Sequence, residues 1–296
     1  MKIGVIGLGA MGQHHARIYN ELGILTDVCD TDESRFKYDA CSHTDLDKML
    51  EKGLTAVSIA VPTQYHLEVA RKCFEKGCHV LVEKPLSDNV ADAQEMIDLA
   101  RKYNKILAVG YIERFNPAFQ QLKRIVDEGY FGSLTSVNIK RVGGLPRSAD
   151  NVILDLMTHD FDLLMSIFDK APSQIFAHTR ESEGIVNSAQ VLLDFGDASA
   201  TCEANWISPV KIREIHITGT KGCASVDLIN QTITKYKSFD LASTHRQLDI
   251  QNLKGEPLKA ELEAFLAEVQ GGEETNLASG EEGLRTLEVT LEAVGK

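Results

Sequence analysis

Three stretches carry residue types whose chemistry is not explained by packing alone. The first is DLMTHDFD, which sets one histidine among three aspartates in a run otherwise apolar enough for a core helix. With a helix over 151–168, Leu154, Met157, Phe161, Leu164 and Phe168 make an apolar stripe at three- and four-residue spacing. Asp155, His159, Asp162 and Ser166 make a second stripe, bordered on its far side by Leu156, Leu163 and Ile167. A polar stripe with hydrophobes on both sides is expected to line a pocket. Burying an unpaired ion is costly, so these charges are either paired or at work. His159 can take a hydroxyl proton near neutral pH, and Asp155, one turn earlier, can orient its ring or hold a neighbouring substrate hydroxyl. The plainer alternative is an Asp–His pair that satisfies itself. No third ligand of suitable type and spacing accompanies them, so no metal site is expected.

The second stretch is VLVEKPLS, where Glu83, Lys84 and Pro85 follow an apolar strand. A lysine at the carboxyl edge of an open α/β sheet lies where ligands bind, and near a positive nicotinamide its pKa would fall. Standing alone, the tripeptide reads more readily as a surface lysine paired with a neighbouring acid. The third stretch, KIGVIGLGAMG, spaces Gly7, Gly9 and Gly12 as G-x-G-x-x-G between a strand and a helix. Gly7 permits the tight turn, Gly9 the approach of a pyrophosphate, and Gly12 close packing of helix on strand. The phosphates then face the unpaired N–H groups of the helix N-terminus. Asp30 closes the next strand roughly 20 residues on, where a carboxylate accepts hydrogen bonds from an adenosine ribose and repels a 2′-phosphate. That favours NAD over NADP, with Arg35 nearby as a counter-indication; the alternative for Asp30 is a simple helix cap.

These groups need elements to hold them. Up to about residue 120, the apolar runs KIGVIG, LTDVCD, AVSIA, HVLV and ILAVG alternate with helical patterns that stop at Gly77 and near Asn104. This is the pattern of an N-terminal Rossmann, doubly wound parallel sheet. Beyond residue 130, SVNIKRV, SAQVLLDF, ASATCEAN, REIHIT, CASVDL and TITKYK alternate in polarity, with turns at Gly196-Asp197 and Asn230-Gln231. The expectation is a C-terminal α/β domain with a large, mostly antiparallel open sheet, closed by helices in PLKAELEAFLAEVQ and EEGLRTLEVTLEAV. The domains are therefore read as 1–120, binding NAD, and 121–296, binding substrate and mediating oligomerisation.

Composition sets the outer bounds. The chain has 296 residues, 43% hydrophobic and 25% charged, enough for two globular cores. A net charge of -12, without a long basic stretch, argues against nucleic acid as a partner. There is no signal-peptide pattern at MKIGVIGLG and no membrane span. Cys29, Cys41, Cys73, Cys78, Cys202 and Cys223 are scattered and contain no C-x-x-C pair, which fits reduced thiols and a cytoplasmic location.

Taken together the motifs resemble the glucose-fructose oxidoreductase, inositol dehydrogenase and rhizopine-catabolism family, Gfo/Idh/MocA, along nearly the whole chain. The markers are GLGAMG, VPTQYH, VEKP, GYIERFNP, the D-x-x-x-H of Asp155 and His159, HITGTKGCASVD, PLKAELEAFL and SGEEGLRTLEV. The resemblance implies that Lys84 and His159 flank the reacting carbinol, with His159 as proton acceptor, Lys84 as a polarising and positioning group, and Asp155 as partner of the histidine or substrate. It implies that Arg114 and Asn116 lie near nicotinamide and substrate. It also implies that Ala60, Pro62 and His66 contact the cofactor with Glu83 beneath it, and that Ala10 and Met11 join the glycine turn around it. The form of VGYIERFNPAF and DLMTHDFD is most similar to the sugar-nucleotide branch, which oxidises C3 of UDP-N-acetylglucosamine or its uronic acid. Many members carry two glycines shortly before the aspartate, whereas this chain has NVIL. Arg141, Arg147, Lys211 and Arg213 are candidates to receive a diphosphate, and each reads equally as a solvated surface charge. A dehydrogenase of free sugars or inositols and a non-catalytic NAD-binding sensor stand as alternatives, and a homodimer or homotetramer is the assembly the resemblance implies.

Overall fold

A computed structural model describes residues 1–144, 151–237, 248–272 and 276–295. The chain divides into two compact units, Met1–Ile112 with Leu258–Leu287, and Glu113–Pro257 with Glu288–Lys296. The segment Leu258–Leu287 thus clusters with the N-terminal unit, so the contacts do not follow a single cut near residue 120. The reason is local: a Cβ on Gly280 or Gly283 would press on Leu107, Ile97, Val109 and Leu86, so these backbone positions lie against the first sheet.

In the first unit β1 (Ile3–Ile6), α1 (Ala10–Glu21), β2 (Leu25–Cys29), β3 (Cys41–His43), α2 (Leu46–Leu50), β4 (Ala56–Ile59), α3 (His66–Glu75), β5 (His79–Glu83), α4 (Val90–Tyr103) and β6 (Leu107–Gly110) follow in order. The strands from β6 through β5, β4, β1 and β2 to β3 are all parallel, a doubly wound order whose direction reverses between β1 and β4. The apolar runs form strands because helices cover both faces: β1, β4 and β6 are buried at every residue. The helices stop where expected, α3 before Gly77 at φ 79° and α4 at Asn104, left-handed at φ 52°.

The second unit holds α5 (Pro117–Asp127), β7 (Leu134–Val142), α6 (Thr158–Phe168), β8 (Gln174–Ser182), β9 (Ile185–Asp194), β10 (Ser199–Asn205), β11 (Ile212–Gly219), β12 (Gly222–Asp227), β13 (Thr232–Lys237) and β14 (Leu248–Asn252). Then α7 (Pro257–Val269), β15 (Ala278–Ser279) and α8 (Gly280–Val294) complete the chain, with β15 adding to β6 antiparallel. The large sheet runs β14-β13-β12-β11-β7-β10-β9-β8, antiparallel throughout except at β7–β10. Register makes its two faces distinct. Ile175, Leu193, Ala200, Val137, Ile217 and Ala224 lie in one cross-strand row, and all but Ile175, which packs against the core half-buried, are core residues with Phe119, Leu122, Phe161 and Leu164. The adjoining row, Phe176, Leu192, Thr201, Asn138, His216, Ser225, Thr234 and Ile250, faces the other way. Phe176 and Ile250 at its two edges are 59% and 61% exposed.

Among the described residues no helix is long and apolar enough to cross a membrane. All six cysteines are free thiols, four of them buried.

Candidate active site

Residues predicted to hold a dinucleotide gather along the carboxyl edge of the parallel sheet. Gly7 turns at φ 85°, and a Cβ there would lie 2.7 Å from the Ala60 carbonyl, so the turn after β1 abuts the turn after β4. A Cβ on Gly12 would collide with the Gly7 carbonyl oxygen, so only glycine lets α1 start this close to β1. Gly9 meets nothing within 4 Å, which leaves open space over the turn. Gly9 is also the N-cap of α1 and offers no side-chain cap, so the first N–H groups of a 12-residue helix remain available to an anion. Ala10 is exposed and Met11 half-buried beside them, and Ala60 and Pro62 are accessible across the turn. This cradle fits a pyrophosphate.

Asp30 closes the second strand and is bound into the cradle. Leu8 N–H donates to its Oδ2 at 2.6 Å and Asp32 N–H to its Oδ1 at 2.8 Å. Arg35 approaches Oδ2 at 3.3 Å while also pairing with Asp32 at 3.2 Å. A carboxylate has about four lone-pair directions, so acceptor capacity remains for ribose hydroxyls.

Glu83 and His66 turn out to be tied inward. Glu83 Oε1 lies 2.8 Å from Nε2 of His15, which is wholly buried on α1, and a Cβ on Gly110 would sit 3.2 Å from the same carboxylate. His66 places Nε2 3.0 Å from the Val61 carbonyl and Nδ1 3.1 Å from the Leu86 carbonyl. Burial lowers the His66 pKa, although both carbonyls oppose the shift. A neutral ring donates to one of them, and the residue joins the turn after β4 to the segment just past Lys84. Lys84 itself is half-buried and opens that segment through a cis bond to Pro85.

In the second unit Asp155 and His159 are half-buried. The expected uniform helix over 151–168 is instead a π-helical stretch, Ile153–Met157, running into α6. A wider turn there breaks the regular helical period, and such turns recur at functional sites. Asp162, which the predicted stripe sets beside His159 on a pocket wall, is instead closed off from solvent. It is fully buried, and Arg114 grips it through Nε at 3.0 and 2.8 Å and Nη2 at 2.6 Å. Asp160, in neither predicted stripe, is equally buried and accepts from Arg141 Nε at 2.6 Å. Arg141 Nη1 in turn donates to Glu113 at 2.9 Å. Asn116 caps α5 by accepting from Ala118 N–H at 3.1 Å and donates to the Leu228 carbonyl at 2.9 Å. The contacts implied for Arg114 and Asn116 thus fall on side chains already committed within the protein.

Burial pushes the Asp160 carboxyl up to about 6 against the pull of Arg141. Burial also opposes the charge on Arg141, but Asp160 and Glu113 outweigh it and raise the Arg141 pKa. Of the four diphosphate candidates, Arg141 is spent in this ion cluster and Arg147 lies outside the described residues. Lys211 is exposed. Arg213 is half-buried, and its guanidinium donates to the carbonyls of Val142 at 2.5 Å, Ile212 at 2.7 Å and Gly143 at 3.1 Å. Burial and the nearby Arg141 lower its pKa, against attraction from Asp160, Glu113 and Asp155. No carboxylate among the described residues reaches it within ion-pair distance, so its charge faces neutral oxygens. Among the described residues no three metal-ligating side chains cluster.

Comparison with known proteins fits both units. Residues 1–111 match the model described as "Oxidoreductase family, NAD-binding Rossmann fold", and residues 119–225 match "GFO/IDH/MocA C-terminal domain". The UDP-N-acetylglucosamine 3-dehydrogenase of Acidithiobacillus ferrooxidans is 30% identical over 90% of this chain and 88% of the relative. The chain belongs to the Gfo/Idh/MocA oxidoreductase family. It is an NAD-dependent oxidoreductase, and the reading as a non-catalytic sensor is set aside. A solved structure of that Acidithiobacillus enzyme superposes with a TM-score of 0.89 over 99% of this chain and 96% of the other, at 28% identity. The myo-inositol 2-dehydrogenase of Thermotoga maritima is 28% identical over 97% of this chain and 93% of the relative.

Two outcomes test this geometry. Asp30→Ala is expected to weaken NAD and shift the affinity ratio towards NADP, read by nucleotide titration of intrinsic fluorescence; an unmoved ratio removes Asp30 from the ribose site. Asp160 sets a pH signature. Its folded pKa of about 6 lies above the usual 3.8, so the folded state holds more protons between those values and stability falls as pH rises through them. Asp160→Asn lacks this titration. Apart from a constant offset, the variant should gain on the wild type by up to about 3 kcal/mol from pH 4 to 6 and no further above. Urea unfolding at each pH measures it, and a flat difference would contradict the raised pKa.

Proposed function

We propose that this protein oxidises a secondary hydroxyl of a sugar nucleotide, C3 of a UDP-N-acetylglucosamine-type sugar, with Lys84, His159 and Asp155 as the catalytic residues. The observation that carries the reading is the contrast along one helix: Asp160 and Asp162 are fully buried in ion pairs, whereas His159 and Asp155 stay half-buried. A histidine kept accessible among buried acids is placed to exchange a proton with a bound alcohol. On this reading His159 removes the hydroxyl proton, Asp155 orients the ring or a neighbouring hydroxyl, and Lys84 draws charge from the carbinol oxygen. NAD, when bound, accepts the hydride from the same carbon. Losing proton and hydride together avoids a free alkoxide.

Two observations support a nucleotide-linked sugar. One is the UDP-N-acetylglucosamine 3-dehydrogenase likeness over most of both chains. The other is Arg213, a cation turned on neutral carbonyls and electrostatically coupled to Asp155, suited to a diphosphate. The second reading, a dehydrogenase of free sugars or inositols, draws on the Thermotoga myo-inositol 2-dehydrogenase. The proposal extends to a homodimer or homotetramer formed through the open sheet face that carries Phe176, Leu192 and Ile250.

The deciding experiment follows NADH absorbance with UDP-N-acetylglucosamine, its uronic acid, free hexoses and inositols. His159→Asn should fold normally, bind NAD and lose at least about a hundredfold in kcat; unimpaired turnover removes it from the proton-transfer role. UDP alone should raise the melting temperature of the wild type and do so less in Arg213→Gln. Protection by inositols with none by UDP would establish the second reading instead.

A further inference from the structure

The two buried ion pairs of α6 belong to a closed ring. From Asp162 it passes to Arg114, along the backbone to its neighbour Glu113, across to Arg141, and on to Asp160, which returns it to the same helix. Every side-chain link is an arginine on a carboxylate at 2.6 to 3.0 Å, and Arg114 engages both oxygens of Asp162. Asn116 holds Glu113 from its other oxygen at 3.2 Å and is fixed in turn to the Leu228 carbonyl.

Helical geometry gives the ring a direction. At about 100° per residue, Asp160 projects roughly 100° to one side of His159 and Asp162 roughly 60° to the other. The two anchored aspartates therefore lie on either side of the histidine, which is half-buried between them. Two anchors about 160° apart fix both the rotation of the helix about its axis and its position along it, which a single contact would not. Stability does not account for such a device, since buried ion pairs are commonly no better than apolar residues of the same volume. Forked arginine–carboxylate pairs do impose a geometry.

We propose that Arg114, Arg141, Asp160 and Asp162 are positioning residues that hold the His159 imidazole at one orientation for proton removal. The inference rests on the reading of His159 as the base, and its test has an arm independent of turnover. Arg141→Met with Asp160→Leu replaces one side of the ring by apolar volume. In the NAD-loaded protein, the ring carbon–proton signal of His159, assigned by its loss in His159→Asn, should be single and narrow in the wild type and broadened or doubled in the double variant. With UDP-N-acetylglucosamine and NAD, kcat should fall between about ten- and a hundredfold, the scale of a small misplacement, with KM and NAD affinity unchanged. Arg114→Lys keeps the charge but loses the fork, and should move both readouts in the same direction by less. It decides the matter should the double variant not fold. A folded variant with an unchanged His159 signal and unchanged kcat overturns the ring as a positioning device. Full turnover in His159→Asn would instead overturn the function proposed above, while the spectroscopic arm still judges the ring.

Discussion

A carboxylate taken out of water must find hydrogen-bond donors or it will not stay ionised, and this requirement organises both units. Asp30 finds the Leu8 and Asp32 N–H groups, which secures the second strand to the glycine turn. Glu83 finds His15 and thereby locks the end of β5 to α1, directly beside Lys84. Asp27 pairs with His43 at 2.8 Å and ties β2 to β3. In the second unit Asp160 and Asp162 find Arg141 and Arg114. Apart from the Asp32 N–H, two residues from Asp30, each partner comes from a different part of the chain, so satisfying the charge also fixes the relation between two segments. Removing one member of a buried pair costs about 3–5 kcal/mol, against about 0.3–0.5 kcal/mol for an exposed pair such as Arg17–Glu21.

The parallel sheet was legible because its strands are buried on both faces and its glycines are required by steric contact, both local properties. The turn residues of the second sheet were legible for the same reason: Gly196 and Gln231 adopt the left-handed conformation their positions imply. What escaped was non-local. Arg114 stands 48 residues from Asp162, Arg141 19 from Asp160, and His15 68 from Glu83, and nothing in a single sequence pairs them. The only signal was that an apolar helix carried too many acids. Those acids did need partners, and for Asp160 and Asp162 the partners are arginines on elements distant in sequence. Strand β8 escaped for a different reason. It is exposed along nearly its whole length, so no polarity alternation marks it. The return of Leu258–Leu287 to the first unit was equally invisible, since an amphipathic helix records that it has a buried face and not whose core receives it.

The roles of the cations follow from their acceptors. Arg114 and Arg141 meet carboxylates and are electrically spent; Arg213 meets carbonyl oxygens and keeps its net charge. Neutral acceptors orient a guanidinium without neutralising it, which is what an anion receptor requires. Arg35 is an intermediate case at the dinucleotide edge. Its side chain is 46% exposed and divided between Asp30 and Asp32, so solvent screens it and each contact contributes about 0–1 kcal/mol. Asp30, by contrast, is 6% exposed at its side chain and held by two backbone donors. A 2′-phosphate arriving at that edge would therefore meet a fixed negative charge and a solvent-screened, already shared positive one. We propose that the balance of the two favours a cofactor that ends in a ribose hydroxyl, with Asp30 rather than Arg35 as the residue on which the preference turns.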